Sequence, residues 1–466
     1  MGAPARPGGT AAGGWPGPLA RLGRATRTAP GRLRLAGALL AVVTVAFGTL
    51  TAWQVESRAQ AAQRVVSYSQ PLSQAAADIN RALADADTTA ATGFLLAGAE
   101  PKAVRDRYEQ DLATASRLIA EAAARTTASS PAQGWLAALN QQVPVYAGLV
   151  ESARANNRLG YPLGGAYLRY ASDQMRTVLL PAAAELTAAE NRELADDYAA
   201  ARAVPWAAYG LGVLALAVLG WVQVVLFRRT NRVFNVGLLG ATAAVLAAVL
   251  WLTVAGLGAR GALQESEQKG AAPLRALNAA RVDVLTARLA ENLHYVARGS
   301  SAKYADLWSK TTEHLSGPDT SQDGQGAQAA QGAQDGAPRS GTLADALRLA
   351  PAEAEGAVAD AGQQYRHWRE QHATASRLEH EGDYQGAVDA TVTAREADAA
   401  KTADAWFNGT DRQLDQAAGA ELKQFRRAAE GTDGDLRTAA VAVAVLSLVA
   451  AVAAARGLGR RLAEYR

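Results

Sequence analysis

Four stretches of this chain are apolar without charge, and each is long enough to cross a bilayer as a helix. They are Leu35–Trp53, Pro205–Phe227, Val236–Leu257 and Thr438–Ala455, where a hydrocarbon core asks for about 20 helical residues. Ala, Leu and Val dominate them, and Gln223 is one of the few strongly polar groups inside. The segments 54–204 and 258–437 have a different texture. Apolar residues recur there at three- and four-residue spacing with little β-branched alternation, which predicts amphipathic helices and not strands. The fold class expected is all-α: four transmembrane helices with two duplicated extracytoplasmic four-helix bundles.

Arginine sets the sidedness. Residues 1–34 carry six arginines and no acid, the hinge between spans two and three carries Arg228, Arg229 and Arg232, and the tail has Arg456, Arg460, Arg461 and Arg466 against Glu464. Together these segments hold +12 in a chain whose net charge is +3, which leaves −9 elsewhere. Short positive segments stay cytoplasmic. The expected order is a basic disordered N-terminus (1–34), TM1 (35–53), bundle 1 (54–204), TM2 (205–227), a cytoplasmic loop (228–235), TM3 (236–257), bundle 2 (258–437), TM4 (438–455) and a tail (456–466). A cleaved signal peptide is the rival reading of the first span. Its apolar run exceeds the usual core of such peptides, and cleavage would leave an odd number of crossings, so an uncleaved anchor is expected. The flanking arginines read as topology signals touching anionic lipid, not as a nucleic-acid surface.

The two external segments resemble each other. Pro71-Leu72 recurs as Pro273-Leu274 at an offset of 202, and Phe94, Gly98 and Lys102 recur as Tyr295, Gly299 and Lys303 at 201. Further on, Gln141-Gln142, Tyr146, Gly160 and Gly164 recur as Gln363-Gln364, Trp368, Gly382 and Gly386 at 222. The jump coincides with Gly317–Gly341, a Gly/Ala/Gln/Ser-rich stretch that reads as a flexible insert, so duplication is expected. Helix punctuation gives each unit an up-down-up-down plan. In the first, helix one breaks at Gly98–Pro101, helix two runs Lys102–Arg125, a loop covers Thr126–Pro131, and helix three stops before Gly160. The two glycine breaks are expected at the membrane-distal tip.

The segment Thr92-Gly-Phe-Leu-Leu-Ala-Gly98, followed by Pro101, Arg107 and Tyr108, resembles the helix-one tip of CHASE3 and related four-helix-bundle sensor domains, which sit outside the membrane between two spans. In such receptors the last span feeds a HAMP linker and a signalling domain, whereas only 11 residues follow Ala455 here. The architecture therefore resembles the GlnX-type membrane transducers of actinobacteria. That resemblance implies an extracytoplasmic solute-binding lipoprotein of the glutamine/glutamate type outside, and a cytoplasmic Ser/Thr kinase, protein kinase G, inside.

Composition narrows the chemistry. Hydrophobic residues make up 49%, charged residues 20%, and cysteine is absent, which excludes a disulfide scaffold, a thiolate metal site and a Cys nucleophile. Neither a phosphate loop nor a nucleophile elbow occurs. The five histidines, His294, His314, His367, His372 and His380, all lie in the second external segment without metal-ligand spacing, and read as solvated helix residues. No enzyme, metal or cofactor is expected. A transporter fits poorly, because ionisable residues are missing from the spans. Gly237/Ala241 and Gly240/Ala244 carry the small-residue spacing that permits close helix approach.

The candidate partner-docking residues are Gly98, Leu159, Tyr161, Tyr167, Tyr170, Gly299 and Tyr384 at the tips, because tyrosine offers large contact area with a polar end. Tyr167 and Tyr170 share a helix face, and capping of the bundle core is the competing reading. Arg228, Arg229, Arg232, Arg460 and Arg461 are the candidate cytoplasmic contacts. Expected partners are the lipoprotein, the kinase, membrane lipid and a second copy of the chain, but not nucleic acid. A direct small-molecule sensor and a passive envelope scaffold are the alternatives, and polar residues inside a bundle would favour the sensor.

Overall fold

The computed structural model describes residues 29–96, 100–230, 235–298, 302–317, 340–393, 399–430 and 433–463, and among these all regular structure is helical. The helices are α1 (Ala29–Arg64), α2 (Gln70–Leu95), α3 (Lys102–Arg125), α4 (Ala132–Arg158), α5 (Leu163–Gln174), α6 (Leu180–Arg202), α7 (Trp206–Thr230) and α8 (Val236–Ser266). They continue with α9 (Ala272–Val296), α10 (Ala302–Ser316), α11 (Thr342–Leu349), α12 (Ala352–His380), α13 (Tyr384–Thr391), α14 (Ala403–Glu430) and α15 (Asp433–Ala463). The chain divides into two compact units: 1–59 with 203–259 and 434–466, and 60–202 with 260–433.

The first unit holds the apolar runs. Three helical stretches are long and apolar enough to cross a membrane, within Leu35–Leu95, Leu163–Arg228 and Val236–Val296. The fourth predicted span falls in α15, whose apolar part, Val441–Gly457, is shorter. All four runs supply one core, which includes Phe47, Leu219, Val245 and Val443. Small residues let the helices close in. A Cβ on Gly237 would lie within 2.6 Å of Gly457 Cα and Ala453 O, so α8 and α15 meet backbone to backbone there. Gln223 donates to Thr242 Oγ1 at 2.8 Å, which satisfies the lone amide of α7.

The second unit differs from expectation. The two external segments, read as two separate bundles, form one compact body around a central pair, α2 and α9. Ala82–Gly93 on α2 and Ala287–Leu293 on α9 are buried at every position, and a helix covered on all sides belongs to an interior. The core of the first segment takes in Leu289, Leu293 and Tyr304 from the second, and the core of the second takes in Ala84 from the first. Alanine makes this possible, since a spine of small residues lets neighbours approach from every direction.

Proline shapes three helices in the same way. A five-residue wide (π-type) turn precedes Pro71 (Val65–Ser69), Pro181 (Met175–Leu179) and Pro273 (Glu267–Ala271). A helical proline lacks its own N–H and collides with the carbonyl four residues back. The wide turn relieves both, moving the N–H just before each proline onto the carbonyl five residues back: Gln70 to Val65, Leu180 to Met175 and Ala272 to Glu267. The turns before Pro71 and Pro273 lie 202 residues apart. After helix three of each segment, Gly160 (φ +70°) and Gly382 (φ +87°), 222 apart, take the left-handed conformation that ends a helix.

The second segment departs from a four-helix plan in two places. An extra short helix, α11, follows the insert, whose residues 318–339 lie outside the described residues. Its last helix is in two pieces, α13 and α14, with Val392 extended between them. The last helix of the first segment also ends before its predicted span, because 203–205 are non-helical ahead of Trp206.

Candidate functional site

The contact of α2 with α9 is stitched by hydrogen bonds. Thr88 Oγ1 donates to Leu285 O at 3.0 Å, and Asn292 Nδ2 donates to Thr92 Oγ1 at 2.8 Å. Beside them, Arg107 of α3 reaches Asp85 of α2 at 2.8 Å and Asp411 of α14 at 3.0 Å, and donates to Asn408 at 2.9 Å. Arg281 of α9 meets Asp415 at 2.9 Å. Burial pushes the Asp85 carboxyl up and Arg107 opposes it; Asp111 nearby is also raised, by burial and then by Asp85. Such a network fixes register more than it adds stability, and here it locks the first external segment to the second.

Inside the first segment, Asp87 is fully buried. Its Oδ1 accepts from Tyr146 Oη at 3.0 Å and Ser172 Oγ at 2.8 Å, while Oδ2 has no partner. Burial pushes its carboxyl up to about 6, and the two hydroxyls only partly offset this. The group is thus poised to take up a proton as pH falls towards 6.

The second segment repeats the arrangement with opposite electrostatics. Glu291 is buried, and its Oε2 accepts from Trp368 Nε1 at 2.9 Å and pairs with Arg288 at 2.5 Å. Its Oε1 meets His372 Nδ1 at 2.8 Å. Burial acts to raise this carboxyl, but Arg288 and then His372 outweigh it and hold it below the usual range. The Trp308 ring stacks on His372 at 3.8 Å, and His294 meets Glu379 at 2.8 Å. These groups line a cleft of about 470 Å³ among α9, α10 and α12. The solvated reading holds for exposed His367 and His380, but His294 and His372 are part-buried bridges from α9 to α12, and His314 pairs with Asp283 at 2.9 Å. No group of three potential metal ligands occurs among the described residues.

A second cavity, about 390 Å³, runs along α2 between α6 and α9. Its wall is rich in carboxamides, a composition that the sequence reading did not single out.

The tip residues separate into two kinds. Leu159, Tyr161 and Tyr170 are exposed at 66%, 58% and 64%, with Leu163 beside them at 54%. Tyr167 is half-buried and packs on the core of the first segment. Tyr384 is also half-buried. Its hydroxyl donates to Tyr295 O at 2.7 Å, and its ring joins a small core containing Leu95 and Leu96. It is therefore a strut between segments and not an open docking surface. Gly98, Gly299 and Arg232 lie outside the described residues, as do the side chains of Arg229, Arg460 and Arg461; Arg228 is exposed at the end of α7.

Residues 61–199 match the family model of the actinobacterial sensor domain. The match covers less than half of the chain, and its span is that of the first external segment, from the last residues of α1 through α6. It supports a sensor-type protein of the actinobacterial kind, and the long apolar helices are compatible with a membrane location. No curated protein and no solved structure matches the chain.

Proposed function

We propose that this protein is an integral membrane signal transducer whose helical unit faces outward and reports an extracytoplasmic nutrient to a cytoplasmic partner. The observation that carries this reading is the sensor-domain match at 61–199, directly flanked by apolar helices on both sides. Four spans with both termini inside follow from the arginine distribution, and the shared core of all four apolar runs supports the count. The 202-residue spacing of the wide turns and the 222-residue spacing of the left-handed glycines, which match the two offsets in the sequence, support duplication.

In the first form of the proposal a solute-binding lipoprotein docks on Leu159, Tyr161, Leu163 and Tyr170, and a Ser/Thr kinase receives the signal at the arginine-rich inner face. The exposure of those four side chains, in place of core capping, favours docking. Helices α1 and α8 each supply residues to both units, so a small shift of stiff helices is the available means of relay. A second reading, direct sensing of a small molecule, is favoured by the polar groups and cavities inside the helical unit.

The chain has no cysteine, so single cysteines report sidedness cleanly. Tyr161→Cys and Glu381→Cys should react with an impermeant thiol reagent on intact cells, while Thr230→Cys should be protected. Labelling at 230 from outside overturns the topology. Tyr161→Glu with Tyr170→Glu should abolish crosslinking of the lipoprotein to the tip and leave membrane insertion intact; unchanged crosslinking rejects the docking form.

A further inference from the structure

The carboxamide-lined cavity has a composition that specifies a ligand. Its floor is α2 and its walls are α6 and α9, all within the helical unit. On the floor Gln70, Gln74 and Asn80 all line the groove and cover about 15 Å at 1.5 Å per residue. Asn191 faces in from α6, and Asn278 and Arg275 from α9. Five carboxamides in one groove are unusual in a body otherwise packed with Ala, Leu and Val.

Most of this hydrogen-bonding capacity is unused. The side chains of Asn80, Asn278 and Arg275 make no hydrogen bond or ion pair among the described residues. Asn191 spends only its oxygen, accepting from Ser73 Oγ at 2.7 Å. Gln70 and Gln74 touch each other at a long 3.5 Å. The one acid in the wall, Asp283, is already held by Thr342 at 2.7 Å and His314 at 2.9 Å. Among the described residues the groove therefore offers one cation outside any ion pair, Arg275, no unengaged anion, and several groups that both donate and accept.

We infer that this groove binds a small polyhydroxylated carboxylate, of the sugar-acid class, with its carboxylate on Arg275 and its hydroxyls along the carboxamides. Each part of the assignment has a physical cause. A guanidinium with no protein partner presents a two-pronged donor to a carboxylate. Hydroxyls satisfy carboxamides in either direction. An α-amino acid would bring an ammonium for which the described lining residues hold no unengaged anion, so it gains nothing there beyond its carboxylate. The volume lies at the lower end of the range of small-molecule sites and suits one or two sugar rings.

The groove also sits where a ligand has leverage. Gln70 directly follows the wide turn before Pro71, and Ala271, which lines the groove, is the last residue of the turn before Pro273. A bound molecule would tie α2, α6 and α9 together next to the two points where the central helices depart from α-helical winding.

This assignment names the ligand class for the direct-sensing form of the proposed function and rests on it. The test uses the full chain in lipid nanodiscs, with glucuronate as the probe and glucuronamide as its neutral counterpart, read by calorimetry and ligand-observed NMR. Saturable glucuronate binding is expected, with glucuronamide weaker by about tenfold, because the charge-assisted hydrogen bonds between guanidinium and carboxylate are lost. Arg275→Gln should erase that discrimination without lowering the melting temperature, because Arg275 is exposed and unpaired. Asn278→Leu should weaken both ligands. Absence of saturable binding, equal affinity for the acid and the amide, or glutamate binding as tightly as glucuronate each overturns the assignment. Crosslinking yield between cysteines in the spans is read in the same samples. Binding without a change in that yield keeps the groove assignment and rejects the relay.

Discussion

The two external segments place an aromatic donor from helix three against a carboxylate on helix one, yet give that carboxylate opposite protonation behaviour. In the first, Tyr146 donates to Asp87, which makes no ion pair among the described residues and is pushed up by burial to about 6. In the second, Trp368 donates to Glu291, which Arg288 pairs and holds low. Tyr146 and Trp368 correspond at the 222-residue offset, and the 201-residue offset that aligns Phe94 with Tyr295 aligns Asp87 with Arg288. The two positions that this offset aligns thus carry opposite charges, an anion at Asp87 and a cation at Arg288, with a further anion at Glu291 one turn along. The first core keeps an acid that changes protonation state near pH 6; the second keeps an ion pair.

The largest effect that separates the two should come from removing one charge. Arg288→Ala leaves buried Glu291 with His372 as its remaining charged partner, and Glu291→Ala leaves buried Arg288 with Asp404, so each should cost about 3 kcal/mol, the lower end for a broken buried pair. The double change Arg288→Met with Glu291→Leu should cost much less than the sum. Asp87→Ala loses two hydrogen bonds but also removes a poorly solvated carboxyl, so it should cost at most about 1–3 kcal/mol. Denaturant unfolding of the full chain in detergent measures all four. A cheap Glu291→Ala, or an additive double variant, would refute the ion-pair account of the second core.

The next effect is a pH response of opposite sign in the two segments. The Asp87 carboxyl is raised in the folded state, so its contribution is complete below about pH 4 and is lost as pH rises through about 6. At pH 7 the penalty is about 3 kcal/mol for a shift of about two units, and Asp87→Asn should recover part of it and flatten that window. Glu291 is lowered, so its contribution is complete above its ordinary range near 4.5 and is lost as pH falls below it. Hydrogen exchange, corrected for the intrinsic rate, should therefore show peptides around Tyr146 gaining protection from pH 7 to 5. Peptides around Trp368 should lose protection only below that. Parallel profiles in both regions would remove the distinction.

Much of this architecture is legible in the sequence, for reasons tied to backbone chemistry. Pro101 caps the start of α3, and the Thr126–Pro131 loop, Gly160 and Gly382 end helices, by local steric rules that need no tertiary context, and the helices begin and stop beside those residues. The contact of α2 with α9 is different. Its trace is Ala82–Gly93, a run of small residues carrying Asp85 and Asp87 but no Lys, Arg or large aromatic. In an Ala-rich chain that run passes for an ordinary amphipathic helix. His372 looks like a solvated histidine because its partners, Trp308 and Glu291, lie 64 and 81 residues away. The carboxamide groove is invisible for the same reason, since three helices each contribute a stripe that is unremarkable alone. Exposure of Tyr161 and Tyr170 follows from the glycine and proline turn beside them, whereas the role of Tyr384 depends on a carbonyl supplied by α9.

The smallest expected effect concerns the feature the two segments share most closely, the wide turn before Pro71 and Pro273. Proline explains why the turn formed, but restoring a normal register would require rotating one side of the helix by about 100° relative to the other. That rotation would expose residues now buried on both sides, Val65 and Leu72 in the first segment and Ala271 and Leu274 in the second. The packed core, more than the proline, should therefore hold the turn in place. Pro71→Ala and Pro273→Ala should each change stability by no more than about 1 kcal/mol, as expected for a site whose native geometry the new residue tolerates. The Gln70–Val65 and Ala272–Glu267 hydrogen bonds should persist, and the two substitutions should give equal shifts in unfolding midpoint. A structure of either variant with a continuous α-helical register would show that proline alone maintains the turn. A cost at Pro273 several times that at Pro71 would show that the two turns, alike in spacing, are held by different surroundings, and that the contrast between Asp87 and Arg288 extends along the whole of helix one.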